Sequence, residues 1–327
     1  MTRRQAIRAG LMSGAALGGL ALGGLPGCAA PAAPVGGAGA TVAGRTRVLR
    51  LAHITDTHVQ PERGAAEGLA MCLRRVQAVT PRVDMVITGG DLIMDGFAAD
   101  EARTRTQWDI LTKVFRDECG LPVRHTLGNH DIWGWNKTKS RTTGGEPRWG
   151  KAWALEQLGM PRAYHAHRSA GWKILHLDSI RPDGDGYAAR LDDEQLAWLD
   201  AELAATARTT HVLVVSHVPI LSFSALFDSK KDAPLRLNSA LMHADARALH
   251  ERFVAHGGVR LCVSGHIHQQ DEGAVHGVAY RCNGAACGNW WKPGGDRSEP
   301  GFTVIDLYND GSFDNVYTPY GWTMRTA

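Results

Sequence analysis

Residues 48–58 read Val-Leu-Arg-Leu-Ala-His-Ile-Thr-Asp-Thr-His, an apolar and β-branched run, Val48–Ile54, that stops in Asp56-Thr57-His58. An apolar run this short suits a buried strand better than a helix. Its polar ending places a carboxylate and an imidazole just beyond the strand. Working outward, the pattern recurs. Val83–Thr88 leads into Gly89-Gly90-Asp91, and Val123–Leu127 into Gly128-Asn129-His130-Asp131. His211–Ser216 leads into His217, and Val259–Ser264 into Gly265-His266-Ile267-His268. Further strands are expected at Trp172–Leu177, Val275–Arg281 and Phe302–Tyr308. Helical spacing fills Ala65–Val79, Ala99–Arg116, Trp149–Leu158, Asp192–Ala207 and Ala240–Ala255. Asp192-Asp193-Glu194 supplies the acids of a helix start ahead of Leu196, Leu199 and Leu203. Strand and helix in alternation imply an α/β fold built on βαβ units. The last strands, after Gly273, have no helices between them and are expected to form a hairpin-like edge.

Ligands of open α/β sheets collect beyond the carboxyl ends of the strands, so one fold would bring these five endings to one crevice. Asp56/His58 and His266/His268 are spaced i, i+2, which on extended chain points both side chains the same way. Gly90, Gly128 and Gly265 would allow the sharp turns that precede a presented side chain. A single buried His near a strand end is more often a hydrogen-bonded structural residue. His53, His125, His165, His167, His176 and His211 are read that way.

The ordered set is different, because independent caps would not supply Asp-x-His, Gly-Asp, Gly-Asn-His-Asp, His and Gly-His-x-His in sequence. It resembles the calcineurin-like metallophosphoesterase superfamily over residues 51–268. The resemblance implies an α/β/β/α sandwich with the site at the strand C-terminal ends. It also implies a two-metal centre: Asp56, His58 and His268 on one ion, Asn129, His217 and His266 on the other, and Asp91 bridging. Oxygen and imidazole ligands without thiolate favour two divalent ions from Mn, Fe, Zn, Co or Ni. Ions about 3.5–4 Å apart activate a bridging hydroxide and stabilise an in-line phosphoryl transition state. By the same resemblance His130 is the catalyst that binds no metal, with Asp131 orienting it. Phosphodiester hydrolysis is the favoured activity; phosphomonoester hydrolysis on the same site, or a non-catalytic metal-binding surface protein, are the alternatives. Met94 stands where purple acid phosphatases carry Tyr, and His130 where lipid A pathway pyrophosphatases carry Arg. Both subfamilies are disfavoured.

Composition narrows the partners. The 327 residues hold 36 Lys plus Arg against 33 Asp plus Glu. Without Arg3, Arg4 and Arg8 of the N-terminal segment, basic and acidic residues balance at 33 each. Such a chain has no overall field to draw it onto nucleic acid, which leaves a small phosphate ester as the expected substrate. Six Cys are too few for a disulfide scaffold. Cys282 and Cys287, either side of Asn-Gly-Ala-Ala, are spaced to close a small loop in an oxidising compartment, and the segment Cys282–Trp291 has no assigned role.

Residues 1–30 read as a targeting segment, not as structure. Arg3-Arg4 precedes a glycine-broken apolar stretch, Leu11–Leu25, and resembles a twin-arginine export signal that engages that export machinery. Leu25-Pro26-Gly27-Cys28 resembles a lipobox, with Cys28 as the lipid anchor. Ordinary cleavage near Ala30 or Ala32 is the alternative. Residues 31–46 form an Ala/Pro/Gly linker, and the catalytic domain is expected over 47–327. An exported, periplasmic or extracytoplasmic location follows, with membrane contact only through the signal or Cys28. Trp133, Trp135, Trp290 and Trp291 are read as loop packing, with substrate stacking as the alternative. Lys137, Lys139, Arg141, Lys230 and Lys231 are read mainly as solvated surface.

Overall fold

The apolar runs pair into two sheets. A computed structural model describes residues 44–227 and 236–324, so the signal, lipobox and most of the linker lie outside the described residues. In chain order the elements are β1 (Arg47–Ile54), α1 (Ala65–Gln77), β2 (Met85–Thr88), α2 (Glu101–Glu118), β3 (Val123–Arg124), α3 (Lys137–Ser140) and α4 (Ala152–Leu158). Next come β4 (His165–Ser169), β5 (Trp172–Leu177), β6 (Ile180–Asp183), β7 (Gly186–Ala189), α5 (Asp193–Ala204), β8 (His211–Ser216) and α6 (Ser224–Phe227). The chain continues through α7 (Ala246–His256), β9 (Val259–Ser264), β10 (Asp271–Val275), β11 (Val278–Cys282), β12 (Gly301–Tyr308) and β13 (Phe313–Pro319).

One sheet has the order β13-β12-β1-β2-β3 and the other β10-β11-β9-β8-β5-β4, with β6 and β7 as a separate hairpin. The inner strands β1-β2-β3 and β5-β8-β9-β11 run parallel. Alternation along each strand sorts the core into layers. Leu51, Ile87, Trp172, Ile174, Leu213, Val215, Leu261 and Ile305 fill the space between the sheets. Ala52, Ile54 and Val86 turn outward onto Leu69 and Leu73 of α1 and Trp108 and Leu111 of α2. Leu175, Leu177, Val212 and Val214 turn outward onto Leu199 of α5 and Leu249 and Phe253 of α7. The result is the expected four-layer α/β/β/α sandwich.

Local chemistry sets the boundaries. Helix α2 starts at Glu101 because the Asp100 side chain accepts from Arg103 N at 2.9 Å. Helix α5 starts likewise on Asp192, which accepts from Gln195 N at 2.9 Å. Helix α7 begins at Ala246, later than its apolar spacing suggests, because Asn238 Oδ1 accepts from Ala240 N and holds a turn there. The expected strand Val275–Arg281 is a hairpin instead: β10 and β11 pair antiparallel across His276-Gly277, both at positive φ. The strands after Gly273 also do not share one edge. β10 and β11 close the six-stranded sheet, whereas β12 lies inside the other, antiparallel to β1.

Candidate metal centre

All five polar endings follow the C-terminal ends of β1, β2, β3, β8 and β9 and meet at one place. Their backbone is not extended there. Asp56, His58, Asp91, His266 and His268 have φ of 55°, 39°, 52°, 70° and 57°, a region few residues other than glycine adopt. The extended-chain argument for paired side chains therefore fails. His266 and His268 diverge, one to each half of the centre. Of the three glycines only Gly90 has a positive φ, at 92°. Gly128 and Gly265 matter for closeness: a Cβ on them would lie 2.2 Å from Asp91 Oδ1 and 2.2 Å from Asp56 Oδ2 respectively.

Asp91 Oδ2 stands between two groups. On one side it is 3.6 Å from His58 Nε2. His58 Nε2 is in turn 3.1 Å from His268 Nε2, which is 3.4 Å from Asp56 Oδ1. On the other side Asp91 Oδ2 is 3.2 Å from His217 Nε2. That nitrogen lies 3.2 Å from Asn129 Oδ1 and 3.1 Å from His266 Nδ1. All seven side chains are thus together, in the two groups expected, with Asp91 common to both.

The hydrogen bonds behind these rings decide what the centre can hold. His217 Nδ1–H donates to Gly89 O at 2.8 Å, His268 Nδ1–H to Gly288 O at 2.7 Å, and His266 Nε2–H to Ala240 O at 3.0 Å. Since a carbonyl only accepts, each of these rings in its neutral form turns the lone pair of its opposite nitrogen toward the centre. Carboxylate oxygens, an amide oxygen and imidazole lone pairs therefore face one another, an arrangement that calls for cations. The charges say the same. Burial alone would raise Asp56 and Asp91, yet the surrounding imidazoles hold both below the usual carboxylate range. Burial likewise disfavours a charged His217, but Asp91 overrides it and lifts that ring to about 9, so the carboxylate draws positive charge to this position, a proton or a cation in its place. The donor set fits divalent ions of the borderline class.

His130 Nε2 lies at the rim, 4.0 Å from Asp91 Oδ2. Its Nδ1–H donates to Met94 O at 2.5 Å, and its backbone N–H donates to Asp91 Oδ1 at 2.8 Å. The Met94 carbonyl, rather than Asp131, orients the ring. Asp131 turns the other way. It accepts from Leu92 N at 2.7 Å, Ile93 N at 3.3 Å and Gly128 N at 2.8 Å, fastening the β2 loop to the β3 loop. Burial, and then the Asp91 charge, push its carboxyl up to about 7.

The segment 282–291 contributes what its sequence did not reveal. Ala286 N and Cys287 N donate to Thr55 O and Asp56 O, and Trp291 Nε1 to Thr57 O at 3.0 Å. Cys282 and Cys287 are unbridged; Cys287 Sγ lies 3.8 Å behind His268 Nδ1. Trp133 and Trp291 are buried packing residues, as expected, and Trp135 packs beside Ile132 and Val218. Trp290 is different: it is half-buried and stacks on His268 with ring centres 4.3 Å apart. Tyr187, on β7, puts its hydroxyl 3.5 Å from His266 Nε2. Lys137 lies over the Trp149 ring, 5.3 Å from its centre, and Lys230 and Lys231 fall outside the described residues.

Comparison with known proteins agrees with this geometry. A 3′,5′-cyclic-nucleotide phosphodiesterase of Nostoc is 23% identical over 281 residues, covering 81% of this chain and 90% of its own. The 3′,5′-cyclic adenosine monophosphate phosphodiesterase CpdA of Pseudomonas aeruginosa is 24% identical over 277 residues, covering 81% and 87%. Among solved structures, a dimetal phosphatase from Danio rerio shares the fold at a TM-score of 0.57 and 14% identity, over 84% of this chain and 100% of that one. The family model described as calcineurin-like phosphoesterase matches residues 49–270. The chain is a hydrolase acting on phosphate esters, and it belongs to the calcineurin-like phosphoesterase family.

Proposed function

We propose that the chain is a phosphodiesterase with two divalent ions in this centre, and that 3′,5′-cyclic nucleotides are its substrate class. The observation that carries the reading is the pair of acceptor-only groups sharing Asp91 Oδ2. Asp56, His58 and His268 would hold one ion, Asn129, His217 and His266 the other, and Asp91 both. Bound there, such ions lower the pKa of water and neutralise charge on a phosphoryl group. His130 supplies what remains. With Nδ1–H fixed on Met94 O, its Nε2 faces the centre and is placed to give a proton to the leaving oxygen. Trp290 gives the centre an aromatic wall of the kind on which a nucleobase stacks. The names of the two curated relatives support the cyclic-nucleotide class.

The test uses metal-stripped protein reloaded with Mn. Hydrolysis of bis(p-nitrophenyl) phosphate, p-nitrophenyl phosphate and 3′,5′-cyclic AMP is compared, with Asp91→Asn as the blank. Diester and cyclic AMP hydrolysis that vanish in the blank support the proposal. Activity confined to the monoester makes the protein a phosphatase, and no activity with two ions bound favours a binding role. We further propose export through the twin-arginine segment with Cys28 as the lipid anchor. Fractionation of cells expressing the full chain and its Arg3→Lys/Arg4→Lys variant tests this. A full-length cytosolic product from the unaltered chain ends that reading.

A further inference from the structure

Of three neighbouring histidines read from the sequence as hydrogen-bonded structural residues, His176 makes such a bond on one nitrogen only and His167 on neither. His165 and His167 lie two residues apart on edge strand β4 and share one face. His176 on β5 is paired directly opposite His165. The rings of His165 and His176 stack at 4.3 Å and 10°, and those of His167 and His176 at 5.5 Å and 24°. His176 is fully buried. Its Nδ1 sits 2.8 Å from Thr126 Oγ1, while its Nε2 has no partner. Both ring nitrogens of His167 are also buried without a partner. Buried polar atoms left unsatisfied are uncommon and ask for an explanation such as an ion.

We infer that His165, His167 and His176 form a separate metal site for a late first-row divalent ion such as Zn2+, at the edge of the six-stranded sheet. Each ring offers one nitrogen, and the three nitrogens lie within 4.8 Å of one another. A tetrahedral ion with bonds of about 2.0–2.1 Å holds its ligand nitrogens about 3.3–3.4 Å apart, so binding would turn the stacked rings out of parallel until their in-plane lone pairs converge. Burial without a carboxylate partner among the described residues keeps these rings neutral, the form in which imidazole binds metal. An all-imidazole set suits Zn, Cu or Ni better than the harder ions. Thr126 occupies His176 Nδ1 and leaves Nε2 free, the usual service of a residue behind a ligand. His165, half-buried on the edge strand, leaves the ion a way in, and water would complete the fourth position. None of the three belongs to the centre around Asp91. Because Thr126 lies on the segment from β3 to Asn129, the ion would brace the two sheets where their edges meet.

The experiment counts zinc. The full chain and its His165→Asn/His167→Asn variant are stripped with a chelator, reloaded with Zn2+, desalted and analysed for metal per chain. The variant should retain one zinc fewer, lose part of the zinc-dependent rise in Tm, and keep its Mn-loaded esterase activity. Equal zinc content in both proteins overturns the proposal. Should the variant fail to fold, an anomalous zinc map of the unaltered protein decides. A peak beside His176 Nε2 supports the site, and none at zinc saturation removes it.

Discussion

Replacing Gly128 by alanine tests the centre without touching any ligand. Gly128 has φ −108°, which every residue tolerates, so alanine brings no backbone strain. The obstacle is space. A Cβ there would stand 2.2 Å from Asp91 Oδ1 and 2.3 Å from Asp91 N, where ordinary contact begins at 3.4 Å. Close packing leaves no slack, so Asp91 must retreat by about 1 Å. That carboxylate holds His130 N at 2.8 Å through Oδ1 and faces His217 at 3.2 Å and His58 at 3.6 Å through Oδ2. A misplacement of about 1 Å in reacting geometry costs on the order of 100-fold, or about 2.7 kcal/mol of barrier. Overpacking costs a further ~1–3 kcal/mol of stability, which a domain of this size survives. The assay is kcat/KM on bis(p-nitrophenyl) phosphate after Mn loading, alongside Tm. Gly159→Ala is the control: its Cβ meets nothing within 4 Å, but φ is 62°. It should lose ~1–2 kcal/mol of stability and no activity. A folded Gly128→Ala protein with activity within about threefold of the unaltered chain would refute the reasoning, given the cited sensitivity to geometry.

Four other outcomes are expected. Asp91→Asn should lower bound metal at both halves of the centre, read by metal analysis; an unchanged metal content contradicts its shared position. His130→Ala should leave metal content intact while turnover falls by about 10²–10⁴, and unimpaired turnover would remove it from the chemistry. Trp291→Ala deletes a fully buried indole and should cost about 3–5 kcal/mol in denaturant unfolding. Glu146, which accepts from Thr143 N and Gly144 N, is pulled down to about 2 by these bonds, Thr143 first. A depressed acid stabilises above its ordinary 4.5 and loses that support as pH falls toward 2. Amide exchange at Thr143 and Gly144, corrected for intrinsic rates, should speed up over that window and become pH-independent in Glu146→Gln.

The sequence was most legible where chemistry and periodicity coincide. β5 is buried at every position, and a run such as Trp172–Leu177 reads as a strand covered on both faces. The seven ligand-type residues were legible because each follows such a run. What stayed hidden depends on contacts far apart in sequence. β4 has only Ala166 as an apolar residue in His165–Ser169 and exists because β5 lies beside it. Orientation of His130 by Met94 O is a backbone bond, to which side-chain identity gives no clue. Asp131, next in sequence to His130, looks like its partner, yet its carboxylate reaches back to Gly128 N and across to the amides of Leu92 and Ile93.

The five ligand-bearing residues at positive φ cost about 1–3 kcal/mol each, and such strain persists only where the surroundings over-determine it. The surroundings here are identifiable. Asp56 N donates to Gly90 O and His58 N to Asp91 O, so the first two loops hold each other. From the far end of the chain, Cys287 N takes Asp56 O and Trp291 Nε1 takes both Thr57 O and His58 O at 3.0 and 3.1 Å. Gly288 O fixes the His268 ring. The segment 282–291 therefore touches the Asp56–His58 loop and His268, the same set proposed to hold the first ion, whereas the His217 and His266 rings of the other set are fixed by Gly89 and Ala240. Loosening of 282–291 should weaken the two halves unequally, with the Asp56 half failing first. A chain carrying every ligand residue but lacking that segment would keep the motif and lose the geometry.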